Sequence, residues 1–314
     1  MNPIESTAEP SRRTAFVLLW ATILVLGVNW PLNKMALDYA GPLWFSVMRA
    51  ASAALVVGIL QVFTAGGLRL PPRRDWPVVL SVGAGPVAAI YALMYTALQF
   101  VPPGRSSVLI WTTGLWVVPI AVVFLGERMT ARRWAGLATG IGGIVLLFEP
   151  WRFSWSDRDV LLGHGLLIAG AMINAAVTVH MRGHRWASGP LEVLFWQLLL
   201  AAGILAVVAT FLEGPPDIRW TLPLWANLAY QAFLSSAFSV WARQTILRTL
   251  EATPVSLMLM AVPVVGLLSS ALVLGERIGP VGIAGVVSVI GGVTLTLGSA
   301  GAMRPGRSVP RTRE

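Results

Sequence analysis

Of the 314 residues, 56% are hydrophobic and only 12% are charged, against roughly a quarter charged in a soluble domain, so the chain belongs in a bilayer. The net charge of +9 is spread over short segments between apolar runs, which argues for loop arginines at a membrane and against a nucleic-acid surface. There is no cysteine, which excludes disulfides and thiolate metal sites.

In chain order, Arg12-Arg13 precede a first apolar run that outlasts the ~7–15 residues of a signal peptide and lacks a small-x-small cleavage site, so it reads as a retained span. Ten apolar segments follow one another: 14–33, 43–65, 76–99, 105–125, 132–148, 161–181, 190–212, 222–247, 254–274 and 279–299. A helix needs ~20 residues to cross ~30 Å of hydrocarbon, and each segment is long enough, some with tilt. Gly66-Gly67, Pro71-Pro72, Pro102-Pro103-Gly104, Gly189-Pro190, Gly214-Pro215-Pro216 and Gly279-Pro280 punctuate them. With the N-terminus in the cytoplasm, the inside segments hold 16 basic residues and the outside segments 6, so both termini are expected inside. Trp44, Trp76, Trp134, Trp151, Trp155, Trp186, Trp220 and Trp225 fall at segment ends, as an interfacial belt would.

The pattern Phe124-Leu125-Gly126-Glu127-Arg128, Ala135-Gly136, Gly142-Gly143 returns 149 residues later as Val273-Leu274-Gly275-Glu276-Arg277, Ala284-Gly285, Gly291-Gly292. Pro42-Leu43 corresponds to Pro190-Leu191, Arg49 to Gln197 and Trp76 to Trp225. Five spans per half is an odd number, so the second half inserts upside down, the architecture of alternating-access carriers with a site near the midplane. The expected fold is an all-α membrane protein of ten transmembrane helices in two inverted five-helix repeats. Its parts are a cytoplasmic tail (1–13), a first repeat (14–148), an extracytoplasmic linker (149–160), a second repeat (161–299) and a cytoplasmic tail (300–314). Small residues every fourth position, Ala135/Thr139/Gly143 and Ala284/Ser288/Gly292, mark the fifth and tenth spans as closely packed helices.

Leu26-Gly27-Val28-Asn29-Trp30, Arg49 and the doubled Gly-Glu-Arg blocks resemble the drug/metabolite transporter superfamily, in its ten-helix EamA-type branch. The resemblance covers roughly 14–300 and, within the branch, is most like the bacterial aromatic amino acid exporters. It implies a carrier in the bacterial inner membrane exporting amino acids or other small metabolites. Gly126, Glu127, Gly143, Gly275, Glu276 and Gly292 of the doubled blocks are expected in structural roles.

No enzyme constellation is present, and the isolated His164, His180 and His184 do not make a metal site; neither cofactor nor metal is expected. Arg49 is the one charge well inside a span, and burying it costs a few kcal/mol, so it needs a partner or water. It could bind a substrate carboxylate or tie down helix ends. The resemblance, with arginine here across exporters of differing substrates, favours a structural role. The eighth segment places Asn227, Gln231, Ser235 and Ser239 four apart, with Trp241 near its end. Its repeat mate carries Tyr91 and Tyr95, the fourth segment Trp111 and Thr112, the sixth Asn174 and Thr178, and the first Asn29 and Asn33.

Any one of these pairs is more often packing than site. Taken together, Asn29, Tyr91, Tyr95, Trp111, Thr112, Asn174, Thr178, Gln231, Ser235 and Trp241 describe a substrate cavity with aromatic walls and polar handles. The substrate expected is a small molecule such as an amino acid with a large apolar or aromatic side chain. A drug or nucleotide-type metabolite exporter, proton-coupled or not, is the alternative on the same scaffold. No Asp or Glu sits mid-membrane, which leans towards facilitated diffusion or exchange. The partners are substrate and lipid, not nucleic acid, and a monomer is compatible with the sequence.

Overall fold

In the computed structural model, residues 12–125, 131–148, 151, 157–182, 184, 187–249, 259, 261–276 and 279–297 are described. Among them the only β-type pairing is an isolated bridge between Ala40 and Ile218. Everything else regular is helical. In order these are α1 (Arg12–Ala36), α2 (Pro42–Ala65), α3 (Trp76–Val82), a π-helical stretch (Gly83–Ala89), α4 (Ile90–Ala97), α5 (Pro103–Trp111), α6 (Thr113–Leu125) and α7 (Ala131–Phe148). The second half runs α8 (Arg158–Arg182), α9 (Pro190–Leu212), α10 (Leu222–Ala229), a second π-helical stretch (Tyr230–Phe238), α11 (Ser239–Thr249), α12 (Val262–Leu274) and α13 (Pro280–Leu297). Five helices, Arg13–Ala36, Pro42–Thr64, Arg73–Ala97, Arg158–Met181 and Pro190–Leu212, are long and apolar enough to cross a membrane. Exposed Phe63, Phe211 and Leu272, each more than 80% accessible, are then lipid-facing rather than a solubility liability.

The local chemistry sets the boundaries. Pro42, Pro103, Pro190 and Pro280 stand in first turns, where a missing N–H costs nothing. Gly66 after α2 and Gly275 after α12 adopt φ of 73° and 69°, the left-handed conformation that ends a helix and favours glycine. Both repeats contain a π-helical stretch at equivalent positions, and α6 and α12 each begin one residue after the equivalent Thr112 and Ala261. Pro86, which cannot donate to the helix ladder, lies within the first stretch.

The two halves pack reciprocally. α1 lies on α12 and α11, as α8 lies on α5, α6 and α4; α2 meets the second π-helical stretch, as α9 meets the first; and α2 pairs with α9, α7 with α13. The α7–α13 seam keeps the expected Gly143 and Gly292 but turns other members of the expected stripe away. Ala135, Thr139 and Ala284 face outward, while Gly136, Gly140 and Gly143 meet Gly285, Val289 and Gly292. A Cβ on Gly292 would stand 2.5 Å from the Gly140 amide nitrogen and 2.6 Å from the Gly136 carbonyl oxygen. Backbones this close admit only glycine, which alanine and threonine at the neighbouring positions could not supply. Gly126, Glu127, Arg277, residues 1–11 and residues 298–314 lie outside the described residues.

Both ends of the α2–α9 pair are tied by a carboxylate from one half holding backbone amides of the other. Glu213 accepts from the Leu43 and Trp44 amides at 2.8 and 3.2 Å, and Trp44 Nε1 donates to the Gly214 carbonyl. At the opposite end Asp75, fully buried, accepts from the Ser188 amide and hydroxyl, the Ala187 amide and His184 Nε2.

Candidate functional site

Four elements bring polar side chains to one buried place: α1 with Asn29 and Asn33, α2 with Arg49, α4 with Tyr91 and Tyr95, and the second π-helical stretch with Gln231 and Ser235. Each reaches it by periodicity. Asn29/Asn33, Tyr91/Tyr95 and Gln231/Ser235 are four apart on their helices, so both members share a face. The wider turn of the π-helical stretch displaces that face locally, and such insertions frequently mark functional sites.

Arg49 is 6% exposed. Its guanidinium donates to the Tyr95 hydroxyl and, at 3.2 Å, to Ser235 Oγ, and stacks 4.4 Å from the centroid of the Tyr91 ring. Tyr95, held edge-on by Phe45, donates in turn to Asn33 Oδ1 at 3.3 Å. Gln231 Nε2 donates to the same oxygen at 2.7 Å, and Asn227 ties the cluster to the Leu32 carbonyl. Asn33 is therefore the hub.

The cluster is not complete in itself. Asn29 Oδ1, Asn33 Nδ2, Gln231 Oε1 and Arg49 Nε are all buried without a hydrogen-bond partner. Each such atom costs ~1–3 kcal/mol, and buried polar groups are rarely left so. Among the described residues no carboxylate reaches the guanidinium; its neighbours are phenols, a hydroxyl and aromatic faces. A buried cation surrounded by unused donors and acceptors is equipped to receive an anionic group with polar substituents.

Two largely apolar cavities lie along α1, one before Asn29 and one past it. A cavity of about 160 Å³ is lined by Leu19, Thr22, Leu26, Trp111, Ser239, Val240, Ile246 and Leu259. Past Asn29, one of about 350 Å³ is lined by Leu32, Met35, Ala36, Tyr39, Pro223, Ala226, Asn227 and Tyr230.

The other sequence candidates divide. Trp111, at the end of α5, lines the smaller cavity. Thr112 is buried at the α5–α6 break, where its hydroxyl bonds the Leu109 carbonyl and accepts from Trp116. Asn174 ties α8 to Thr113 at 3.2 Å, and Thr178 lies half-buried on the same helix, so neither joins the Arg49 cluster. Trp241 is half exposed and rests against Phe238 on the outer surface. Arg49, expected in a structural role, stands within the cluster. Asn33 was legible only as the helical neighbour of Asn29, since nothing in its sequence position signals three elements converging on it.

An EamA-like transporter family model matches residues 13–149 and again 161–298. The chain is 30% identical over 308 residues to a probable terminal-alkyne amino-acid exporter of Streptantibioticus cattleyicolor, spanning 92% of this chain and 98% of that protein. It is 26% identical to a probable amino-acid metabolite efflux pump of Escherichia coli over 90% of this chain and 94% of that protein. It is also 24% identical to an uncharacterized transporter, YvbV, of Bacillus subtilis, over 91% and 92%. A crystal structure at 21% identity shares the fold with a TM-score of 0.62, covering 91% of this chain and 96% of that one. The chain belongs to the EamA-like transporter family: it is a multi-pass membrane transporter, not an enzyme.

Proposed function

We propose that this EamA-like transporter exports amino acids with large apolar or aromatic side chains, by alternating access around the Arg49 cluster. The observation that carries the reading is the buried guanidinium with no carboxylate partner among the described residues, linked through Tyr95 to Asn33 and Gln231, whose Nδ2 and Oε1 are unused. The substrate carboxylate completes the Arg49 hydrogen bonds, while the ammonium takes the amide oxygens of Asn29 and Gln231 and the Tyr91 face. The side chain then occupies the apolar cavity beside Trp111. The names of the relatives from S. cattleyicolor and E. coli agree with amino-acid cargo.

In this reading the chain makes ten crossings of a bacterial inner membrane, with five-helix repeats over 14–148 and 161–299 and both termini cytoplasmic. The packed pairs α2–α9 and α7–α13 stay together while the remaining helices rock about them. With no acid among the described residues of the cluster, movement follows the substrate gradient or exchange. Equilibrium binding of the twenty amino acids and a set of nucleosides to purified protein tests the proposal. Phenylalanine, tryptophan and leucine are expected to bind, and preferential binding of nucleosides overturns it.

A further inference from the structure

One cavity away from the Arg49 cluster is bounded by charges of both signs. It measures about 350 Å³ and is lined by Lys34 near the end of α1, Gln99 to Pro103 leading into α5, Leu274 at the end of α12 and Glu276 just after it. That volume falls within the range of small-molecule sites. Lys34 is the sole lysine of the chain. Its ammonium has three donors, one of which goes to the Leu98 carbonyl. Glu276, which also lines it, accepts at Oε2 from the Gly104 amide at 3.3 Å, which caps the start of α5. Glu276 Oε1 is buried and accepts nothing. Burial lifts this carboxyl above its ordinary range, while the Gly104 amide, Arg105 and Lys34 pull it back. A helix cap needs one oxygen, so the second is surplus to that role. The wall between the charges is apolar: Phe100, Val101, Pro102, Pro103 and Leu274.

We propose that this cavity is a second binding site, for a small zwitterion whose anionic group lies on Lys34 and whose ammonium lies on the Glu276 carboxylate, a turn of that side chain bringing its surplus oxygen into the cavity. Lys34 directly follows Asn33, the hub of the central cluster, in the chain. That the zwitterion is the transported amino acid rests on the function proposed above. A phosphatidylethanolamine headgroup carries the same pair of charges, so the lipid environment must be varied.

The test is equilibrium dialysis of phenylalanine, N-acetylphenylalanine and phenylalanine methyl ester against full-length protein, in detergent free of phosphatidylethanolamine and in nanodiscs containing it. Wild type is expected to bind two equivalents of phenylalanine in lipid-free detergent. Glu276→Gln, which keeps an acceptor for the Gly104 amide, and Lys34→Gln, which does not touch that cap, should each weaken one equivalent at least tenfold. The blocked analogues should fill that same site at least tenfold more weakly than phenylalanine. Arg49→Gln should remove only the other equivalent, so failure of the central site leaves this one readable. The proposal is overturned if both variants retain two equivalents, if wild type never binds the equivalent sensitive to Lys34 and Glu276, or if phosphatidylethanolamine occupies the cavity and free phenylalanine does not.

Discussion

Ser235 accepts a hydrogen bond from Arg49 at 3.2 Å although 186 residues separate them in the chain. The bond joins the two repeats at the centre of the molecule. It also shows that the repeat does not extend to the chemistry, because the position matching Arg49 in the second half is Gln197. The first half brings the cation, two phenols and the Asn29 and Asn33 amides, and the second half brings only neutral groups, the Gln231 amide and the Ser235 hydroxyl among them. A site of this asymmetry can orient a ligand that is itself charged at one end.

Arg49→Gln should raise the Kd for phenylalanine about 10- to 150-fold, the equivalent of ~1.5–3 kcal/mol for hydrogen bonds to a charged group. Phenylalaninamide, which lacks the carboxylate, should be affected much less. Dialysis with both ligands on one preparation checks this, and an equal loss for both would assign Arg49 to positioning alone.

Trp111→Ala should weaken phenylalanine and leucine severalfold, in line with ~0.5–1.5 kcal/mol for a good ring contact, and leave alanine unchanged. Tyr95→Phe, which deletes the hydroxyl between Arg49 and Asn33, should weaken all three alike. Kd and Tm measured together separate the two effects: lower Tm with unchanged affinity would show that these side chains only pack.

Gly292→Ala should lower Tm markedly, because the added Cβ would meet the Gly140 backbone at 2.5 Å and neither helix can yield there. Gly142→Ala on the opposing seam helix, α7, meets nothing within 4 Å and should be neutral or slightly stabilising. Thermal unfolding in one detergent tests the pair, and equal Tm values would remove the close-contact account of the seam.

Asp75→Asn should destabilise the protein by about 1–3 kcal/mol, since an amide cannot accept from His184 and from the Ala187 and Ser188 groups at once. Ser188→Ala removes a single donor to Asp75 and should cost less. Denaturant midpoints of the two variants give the comparison; the reverse order would place the stability of this end elsewhere.

Proteoliposomes loaded with phenylalanine should release it to equilibrium with no pH gradient imposed, because among its described residues the cluster holds no acid to relay a proton. Uphill accumulation that follows an imposed pH gradient and collapses with a protonophore would contradict this.

The sequence by itself determined the solvent, the helical class and the two related halves, since composition, a 149-residue offset and helix punctuation are local or periodic properties. It also brought Tyr91, Tyr95, Gln231 and Ser235 into view, because polar groups on one face of an apolar helix need a place other than lipid. Only the tertiary structure decided which of the polar pairs share a site. Asn174 and Trp241 carry the same kind of signal as Gln231, yet one ties α8 to α6 and the other faces outward. Whether a polar residue lines a site or closes a helix contact depends on what stands opposite. That is set by how α1, α2, α4 and the second π-helical stretch cross. The same holds for the seam, where Gly136 and Gly140 rather than the expected alanine and threonine join Gly143, and for Arg49, whose partners lie 46 and 186 residues away. Periodicity fixes the face of a helix; packing fixes what that face meets.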